Sequence, residues 1–370
     1  MRPVLSKEVV RSVVSQWTGI PVGRIGNSEI GDVDILSLQE KLSSAIFGQE
    51  HAIGTLADAL KRRFALMQDS SPNRPIANML FVGPSGTGKT ELARQLAIHF
   101  FGDSRKLIKV NMNDFREPHT ASRLVGAPPG YIGYQQGGEL TEAIRKEPFS
   151  VALFDEVEKA HPEVVTNVLL QMMGEGTLTD MSTGAVVDCS HVIVIMTSNL
   201  GNRDAGHRGM GFGHTEDADA EVGYRRTVRD AVNSFFPPEF MGRIDDVVVF
   251  NHLSEQARMR IFRRELQRLE GQLSTEGKPP SVKIRIDDLV MRIFLDEAND
   301  KQAGARAVQK VFSKRIEKPC SDLKIGGHLE KDEPLELAVD MDTEGRFVYE
   351  VRNADHIVAE ETQVADTDGI

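Results

Sequence analysis

The feature that most constrains the fold of this sequence is a glycine-rich turn between a short apolar run and a helical pattern. The apolar run is Met79-Leu80-Phe81-Val82, and Leu92, Leu96 and Phe100 follow the turn at helical spacing. The turn itself consists of Gly83, Pro84, Ser85, Gly86, Thr87, Gly88, Lys89 and Thr90. In such a loop, glycines let backbone N–H groups face phosphates, and the helix N-terminus adds a favourable partial charge. The order of strand, phosphate loop and helix predicts an α/β fold that binds a nucleotide.

Two side chains of this turn have predicted chemical roles. Lys89 is expected to reach the β and γ phosphates, and the hydroxyl of Thr90 is expected to bind Mg²⁺. We therefore predict ATP and Mg²⁺ as cofactors. The other residues of the turn, with Glu91 after it, complete the predicted nucleotide-binding segment.

Three apolar runs predict the strands of one sheet: Ala77–Val82, Val151–Phe154 and Val192–Thr197. Helical patterns lie between them. Strands that alternate with helices predict a parallel sheet with helices on both faces.

Two acidic residues, Asp155 and Glu156, follow the second of these runs. In open α/β sheets ligands bind at the carboxyl ends of the strands, so these carboxylates are expected beside the phosphate loop. We predict that Asp155 holds Mg²⁺ and that Glu156 orients and polarises the attacking water. Many strands end in a solvated acidic turn, and the nearby phosphate loop is what favours the catalytic interpretation.

Composition restricts the possible functions. The 370 residues carry a formal net charge of −11, which disfavours a protein that binds nucleic-acid phosphates over its whole surface. Binding of nucleic acid by a local basic patch stays an open alternative. Cys189 and Cys320 have no paired spacing and predict two buried thiols. Neither an apolar run of bilayer length nor a secretory signal pattern is present, so we predict a cytoplasmic protein without a membrane partner.

The pattern along the chain predicts four segments. Residues 1–35 form a linker with a Trp17-Thr18-Gly19-Ile20-Pro21 turn, and residues 36–252 form a large ATPase domain. Residues 253–352 form a small domain, with helices at 254–273, at 287–299 and from Gly304, and with a hairpin of Leu335–Val339 and Phe347–Val351. Residues 353–370 are acidic and contain no Lys or Arg, which predicts a disordered tail.

Several motifs together resemble the AAA+ module of Clp unfoldases and disaggregases, most of all the second ATPase ring of the ClpA, ClpB and ClpC group. The resemblance covers roughly residues 8 to 352. It rests on Ile46-Phe47-Gly48-Gln49, the phosphate loop, Gly126-Ala127-Pro128-Pro129-Gly130-Tyr131-Ile132-Gly133-Tyr134, Asp155-Glu156-Val157-Glu158-Lys159-Ala160-His161-Pro162 and Thr197-Ser198-Asn199. It implies an AAA+ P-loop NTPase fold followed by a small, mainly helical lid domain with a short β hairpin.

The resemblance implies further roles, position by position. Asn199 matches the sensor of the attacking water or γ-phosphate, and Arg306 in Gly304-Ala305-Arg306 matches the second sensor. Arg243 matches the arginine finger that enters the neighbouring subunit's site. Ile46 and Phe47 match the lining of the adenine pocket. Taken alone, Asn199 is also a common turn residue, both arginines are ordinary surface residues, and an apolar pair suits any core.

The resemblance also implies assembly and partners. A finger that acts on a neighbour needs a ring, and the family forms hexamers. Tyr131 and Ile132 would then project into a central pore and grip unfolded or misfolded polypeptide. The implied function is an ATP-dependent unfoldase or remodelling chaperone. Packing of the Gly-Tyr-rich loop on its own domain is the structural alternative.

Departures from the family pattern leave alternatives open. Gln135 and Gln136 stand where acids are common, Gly242 replaces an Asn, and Gly174-Glu175-Gly176-Thr177 lacks a basic residue. Met210-Gly211-Phe212 fits either a docking tripeptide for a ClpP-like protease or a flexible loop. The chain is either a natural single-ring member or the C-terminal part of a longer protein. A protease-coupled ATPase, a secretion-machine disassembler and a regulatory nucleotide binder stay open, whereas a nucleic-acid motor is disfavoured.

Overall fold

The computed structural model describes residues 6, 9–10, 12–13, 32–65, 74–128, 130, 137–201, 217–273, 282–300, 303–329 and 334–353. Two compact units can be distinguished. The first contains the chain up to Pro84 and Gly88–Asn251. The second contains Ser85–Thr87 and the chain from His252 onward. The tip of the phosphate loop thus belongs to the second unit.

The first unit contains seven strands and nine α-helices among its described residues. The strands are β1 (Ala77–Val82), β2 (Leu107–Asn111), β3 (Val151–Asp155), β4 (Thr177–Thr179), β5 (Val186–Asp188), β6 (Ile193–Ser198) and β7 (Asp246–Val249). The helices are α1 (Asp32–Ala45), α2 (Glu50–Ala65), α3 (Lys89–Phe101), α4 (Ala121–Val125), α5 (Glu139–Lys146), α6 (Pro162–Val164), α7 (Leu170–Glu175), α8 (Asp217–Phe235) and α9 (Pro238–Met241). A π-helical turn, Val165–Leu169, joins α6 to α7.

Five of these strands form one parallel sheet in the order β2-β3-β6-β1-β7. The phosphate loop leaves the carboxyl end of β1, the strand between β6 and β7. Because all five strands run the same way, the residues that follow β1, β2, β3 and β6 reach the same edge of the sheet. This edge carries the candidate site. The other two strands, β4 and β5, pair antiparallel as a separate hairpin.

The sheet is buried on both faces, as expected for parallel strands under helices. Along β1, Met79 and Phe81 pack in one apolar cluster, which includes Leu92 and Leu96 of α3. Leu80 and Val82 point to the opposite cluster, which includes Phe154. The alternation of side chains along the strand explains why the run is apolar without interruption.

The second unit combines helices with a small sheet. Its described helices are α10 (Glu255–Leu273), α11 (Asp288–Glu297), α12 (Ala305–Phe312) and α13 (Lys318–Ile325), with a π-helical turn at Ser313–Glu317 between the last two. Its strands are β8 (Val282–Ile286), β9 (Leu335–Met341) and β10 (Phe347–Asn353), in the order β10-β9-β8. Phe262, Phe294 and Phe312 form an aromatic group that joins three of the helices.

The predicted fold class is confirmed, with additions. The predicted hairpin is present as β9 and β10, but β8 pairs with β9 in parallel and makes a three-stranded sheet. The sequence reading also missed β2, β7 and the β4–β5 hairpin. Both cysteines are buried and free, and burial raises the pKa of each thiol to about 12. In the described ranges, no helix combines the length and apolar character that crossing a bilayer requires.

Candidate nucleotide site

The phosphate loop depends on glycine where its backbone passes close to other strands. Gly83 has φ of +148°, and a Cβ atom there would lie 2.5 Å from the carbonyl oxygen of Phe250, the residue after β7. Any side chain at this position would push β1 and β7 apart. Gly88 has φ of +102° and caps the N-terminus of α3. Both conformations favour glycine, so these residues set the path of the loop.

The Lys89 side chain is buried, with 8 % of its surface exposed. Its Nζ donates hydrogen bonds to the carbonyl oxygens of Gly83 at 2.6 Å and Pro84 at 2.7 Å, and to Oδ1 of Asn199 at 2.9 Å. A buried ammonium group needs such acceptors because desolvation of an unpaired charge is costly. These bonds join the loop to the end of β6 and bring Lys89 and Asn199 together.

Asp155 ends β3 between two hydrogen-bond donors. Its Oδ1 accepts the hydroxyl of Thr197 at 2.6 Å, and its Oδ2 lies 2.8 Å from Nζ of Lys109. Burial alone would raise the pKa of Asp155, but the hydrogen bonds from Lys109 and Thr197, with the charges of Lys109 and Lys89, outweigh burial and lower it. The carboxylate is therefore ionised at neutral pH.

The donor set fits the implied Mg²⁺. The ion prefers oxygen ligands and is commonly held by one or two carboxylates together with phosphates and waters. Asp155 supplies an ionised carboxylate, and Thr90 supplies a hydroxyl in the first turn of α3. Within the described ranges, no group of three or more His, Cys, Asp or Glu side chains is arranged to hold a metal ion by itself.

Glu156 has an unusual backbone conformation for its residue type. Its φ of +60° and ψ of +55° are left-handed, and it is the only described residue other than glycine with positive φ. Such conformations cost about 1–3 kcal/mol and persist when neighbouring groups enforce them. Here its backbone N–H donates to Oγ1 of Thr197 at 2.9 Å. Thr197 thereby fixes Asp155 and Glu156 together.

The Glu156 carboxylate is held by two asparagines. Asn199 donates from Nδ2 to Oε1 at 3.0 Å, and Asn113 donates from Nδ2 to Oε2. Asn113, Thr197 and Lys109 were not among the predicted site residues. Asn113 follows β2, whose apolar residues are interrupted by Lys109, so the apolar pattern did not reveal it. The structure thus connects Lys89, Asn199, Glu156 and Asn113 by side-chain hydrogen bonds.

The remaining predicted residues of this unit lie near the loop in less specific environments. Ile46 is buried with α1 and α2, and its Cγ2 lies 3.7 Å from where a Cβ of Gly88 would be. Phe47 is half-buried beside it. Glu91, in the first turn of α3, accepts hydrogen bonds from Arg94 at 2.7 Å and Gln95 at 2.8 Å. The adenine pocket stays a prediction.

Arg243 lies beside the amino ends of the strands, at the edge of the sheet opposite to the phosphate loop. Its carbonyl oxygen accepts a hydrogen bond at 3.1 Å from Nδ2 of Asn78, the second residue of β1. Its guanidinium binds the carbonyl oxygen of Leu170 and the carboxylate of Glu239, the latter at 2.9 Å. The side chain passes over Gly174, where a Cβ would lie 2.6 Å from Nη1. The structure therefore does not bring Arg243 to the phosphate loop of the same chain.

In the second unit, the tip of the phosphate loop contacts the start of α12. The backbone N–H of Ala305 donates to the carbonyl oxygen of Gly86 at 2.8 Å, and Nη1 of Arg306 donates to Oγ of Ser85 at 3.0 Å. The predicted second sensor and the predicted loop are thus adjacent. Thr87 and Gly304 line a cavity of about 180 Å³, together with His252, Leu253, Arg258, Asn299 and Asp300. Arg258 was not predicted; its guanidinium donates to Asn299.

Several predicted features lie outside the described residues. They are Tyr131 and Ile132, with Gln135 and Gln136; the Met210-Gly211-Phe212 tripeptide; the Trp17-Thr18-Gly19-Ile20-Pro21 turn; and the acidic tail beyond residue 353.

Two family models match the chain. Residues 74–247 match the AAA domain (Cdc48 subfamily), and residues 253–337 match the C-terminal, D2-small domain of ClpB protein. The AAA match contains the phosphate loop, Asp155, Glu156, Asn199 and Arg243.

Individual relatives agree with these models. The chain is 39 % identical over 352 residues to the "ATP-dependent Clp protease ATP-binding subunit ClpC" of Staphylococcus aureus (strain USA300), covering 95 % of this chain and 41 % of that protein. It is 38 % identical over 348 residues to the protein of the same name in Staphylococcus epidermidis, covering 94 % and 41 %. The chain thus spans about two fifths of the length of these relatives. The AAA domain and the likeness to ClpC indicate an ATPase. An AAA domain followed by a D2-small domain, together with this likeness, places the chain in the Clp family of AAA+ ATPases, as a match to its C-terminal ATPase module.

Proposed function

We propose that this chain is the ATPase unit of a protein unfoldase or remodelling chaperone that works as a hexameric ring. The ring threads unfolded or misfolded polypeptide through a pore lined by Tyr131 and Ile132. Residues 36–252 are the ATPase domain and 253–352 the small domain, with residues 1–35 as a linker and 353–370 as a tail. Because the relatives are named as ATP-binding subunits of a Clp protease, a ClpP-like protease or an adaptor is a further proposed partner. The cytoplasmic location stays a prediction.

The proposed chemistry assigns one task to each group. Lys89 and the loop residues Pro84 to Thr90 bind the phosphates. Arg306, which contacts Ser85 within the second unit, is the proposed second sensor. Asp155 and Thr90 hold Mg²⁺, which neutralises phosphate charge when bound. Glu156 takes a proton from the attacking water, and Asn199 holds that carboxylate in place through its 3.0 Å hydrogen bond. Ile46 and Phe47 flank the adenine.

The observation that carries the ring proposal is the position of Arg243. Its carbonyl oxygen is bonded to the amino end of β1, whereas the phosphate loop leaves the carboxyl end of that strand. Five residue steps along a strand span about 16 Å, further than an arginine side chain reaches. A guanidinium suits charge that develops on a transferring phosphoryl group. Arg243 can serve that role only in a neighbouring chain.

Mixing two inactive variants tests this proposal. Arg243→Ala keeps the water-activating carboxylate and lacks the finger, whereas Glu156→Gln keeps the finger and lacks the carboxylate. Each variant alone is expected to lose about 10³-fold or more in ATP turnover per chain. A one-to-one mixture should regain about a quarter of wild-type turnover, because a quarter of the sites combine Glu156 with a neighbour's Arg243. Arg105→Ala, at an exposed arginine paired with Asp103, is the matched control and should behave as wild type.

Protein concentration supplies the second readout. Wild-type turnover per chain should rise with concentration as rings assemble. Failure of the mixture to recover turnover, with each chain still binding nucleotide, would contradict a finger that acts on a neighbour. Negligible turnover at every concentration would contradict the proposal that this chain alone works as a motor. It would favour either a regulatory nucleotide binder or an ATPase module that is active only together with a first ATPase ring.

A further inference from the structure

Arg116 makes a hydrogen bond toward the candidate site that the proposed chemistry does not use. The residue directly follows the 3₁₀ turn Met112–Phe115, which leads on from β2. Its Nη2 donates to Oδ1 of Asn113 at 2.6 Å, and Asn113 donates from Nδ2 to Oε2 of Glu156. Arg116 is exposed, yet only the Asn113 side chain separates it from the proposed water-activating carboxylate.

The backbone of this turn is fixed independently of Arg116. Met112 and Phe115 are buried in the apolar cluster that includes Phe154. Asn111, the last residue of β2, accepts the backbone N–H of Asn113 on its Oδ1 at 3.3 Å. The place of Asn113 in the chain is therefore set, and the direction of its side-chain amide is the freedom that is left.

The two ends of an asparagine amide have nearly the same shape and opposite hydrogen-bonding character. The NH₂ group donates and the oxygen accepts. In the structure the NH₂ of Asn113 faces two acceptors, the Glu156 carboxylate and Oδ1 of Asn111, the latter at 3.2 Å. A rotated amide would turn its oxygen toward the carboxylate, and two acceptors repel. A guanidinium offers only donors, so Arg116 binds the amide oxygen and holds the NH₂ toward Glu156.

The other oxygen of Glu156 is held in the same manner. Nζ of Lys89 donates to Oδ1 of Asn199 at 2.9 Å, and Asn199 donates from Nδ2 to Oε1 of Glu156 at 3.0 Å. An ammonium group also has donors only. Each carboxylate oxygen thus meets an asparagine NH₂, and each asparagine oxygen meets a cation. Lys89 belongs to the phosphate loop, whereas Arg116 lies outside it and can be changed without altering that loop.

We propose that Arg116 is a positioning residue for ATP hydrolysis. It orients the amide of Asn113, and that amide holds the Glu156 carboxylate in the direction from which it takes a proton from water. The role assigned to Arg116 rests on the proposed function, because the task of Glu156 is part of that proposal.

Arg116→Met is the first test, since it keeps the unbranched side chain and removes every donor. We expect kcat for ATP hydrolysis to fall about fivefold, with KM and the affinity for a fluorescent ADP within about twofold of wild type. Arg116→Lys restores a cation with donors only and should keep at least about half of wild-type kcat. Arg105→Met is the matched control, because Arg105 is an exposed arginine paired with Asp103. It should behave as wild type.

A double-mutant cycle shows whether Arg116 acts through Asn113. In the Asn113→Ala background, Arg116→Met should lower kcat by less than about twofold, because the amide that it orients is gone. A general effect on the fold of the turn would not depend on that amide. A full fivefold loss on top of the Asn113→Ala loss would refute action through Asn113.

The orientation itself is measured without turnover. In protein labelled with ¹⁵N-asparagine and free of nucleotide, the NH₂ resonances of Asn113 are identified by their absence from Asn113→Ala. Arg116→Met should shift these resonances and speed the exchange of their protons with water about tenfold, because the amide loses its fixed direction. Arg105→Met should leave them in place. Unchanged Asn113 resonances in Arg116→Met would refute the role of Arg116, whatever the turnover.

A comparison with Glu156→Gln separates this role from the proposed function. If Glu156→Gln hydrolyses ATP as fast as wild type, the proposed task of Glu156 fails, and the role of Arg116 fails with it. If Glu156→Gln loses turnover whereas Arg116→Met keeps wild-type kcat, the task of Glu156 stands and the role of Arg116 is refuted. A loss in Arg116→Met that appears in KM alone would also refute it, since the residue would then act on nucleotide binding.

Discussion

At the scale of single residues, hydrogen bonds to Glu156 shape the candidate site. Its left-handed backbone is tied to Thr197, and its carboxylate lies between Asn113 and Asn199. Each asparagine limits the directions in which the carboxylate can accept a proton. Loss of either partner should therefore act on the chemical step rather than on nucleotide binding.

Replacement of Asn113 by Ala tests this reasoning. The variant loses the hydrogen bond to Oε2 of Glu156, so we expect kcat for ATP hydrolysis to fall about tenfold, equivalent to ~1.4 kcal/mol, with KM within about twofold. Steady-state kinetics in assembled protein measures both constants. Asp114→Ala is the control, because Asp114 is exposed in the same turn. A rise in KM with unchanged kcat would instead indicate a role in binding.

At the scale of elements, the position of a strand within the sheet decides whether the sequence predicts it. The predicted strands β1, β3 and β6 are the interior strands, which are buried on both faces and consist of apolar residues except for Asn78 and the polar residues at the carboxyl ends of β3 and β6. The missed strands β2 and β7 are the edges of the sheet. Both are partly exposed. Lys109 interrupts the apolar residues of β2, whereas β7 begins with Asp246 and has only three apolar residues, Val247, Val248 and Val249, which were not recognised as a strand. In β8, Lys283 and Arg285 alternate with buried residues, a period-two pattern that predicts a strand and was overlooked.

The residues of the candidate site likewise divide into those that the sequence predicts and those that it does not. Loop glycines, Lys89, Asp155, Glu156 and Asn199 could be placed from motifs, because each follows a strand whose end lies at one edge of the sheet. Asn113 follows an edge strand that the apolar pattern did not reveal. The location of Arg243 required the pairing of β7 with β1, which no local pattern encodes.

The hydrogen bonds that connect β1 to the residues before β7 lead to a prediction at the scale of elements. Asn78 is buried, and its Nδ2 donates to the carbonyl oxygens of Arg243 at 3.1 Å and Met173 at 3.3 Å. Asn78→Ala leaves both carbonyl oxygens without this donor and should lower the free energy of unfolding by about 1–3 kcal/mol. Urea denaturation measures this loss. Turnover should also fall, because Arg243 loses a backbone support. Unchanged stability would show that the join does not depend on Asn78.

At the scale of the whole molecule, buried carboxylates with lowered pKa values connect folding to pH. Asp155 and Asp180 both have a pKa below the ordinary value of 3.8. Burial alone would raise the pKa of Asp180, directly after β4, but hydrogen bonds from donors that include Ser182 and Thr141 outweigh burial and lower it. A group whose pKa is lowered by folding contributes its stabilisation in full above its unfolded pKa. That contribution is lost as the pH falls toward the folded pKa.

The expected result is a free energy of unfolding that changes little through neutral pH and declines between about pH 5 and pH 3. Urea titrations at several pH values measure it. Asp180→Asn has one such carboxylate fewer, so its decline should be shallower and the two curves should converge in acid. Parallel curves down to pH 3 would contradict the lowered pKa of Asp180.

The separation of Arg243 from the phosphate loop along β1 has a stoichiometric consequence. Each chain presents one phosphate site and one arginine at opposite edges of a single sheet. If Arg243 completes the site of a neighbouring chain, as proposed, two chains joined head to tail complete one site and leave one phosphate site and one arginine unmatched. An open row of any length still has one unmatched phosphate site at one end and one unmatched arginine at the other. The number of complete catalytic sites equals the number of chains only when the row closes, so that its last chain contacts its first.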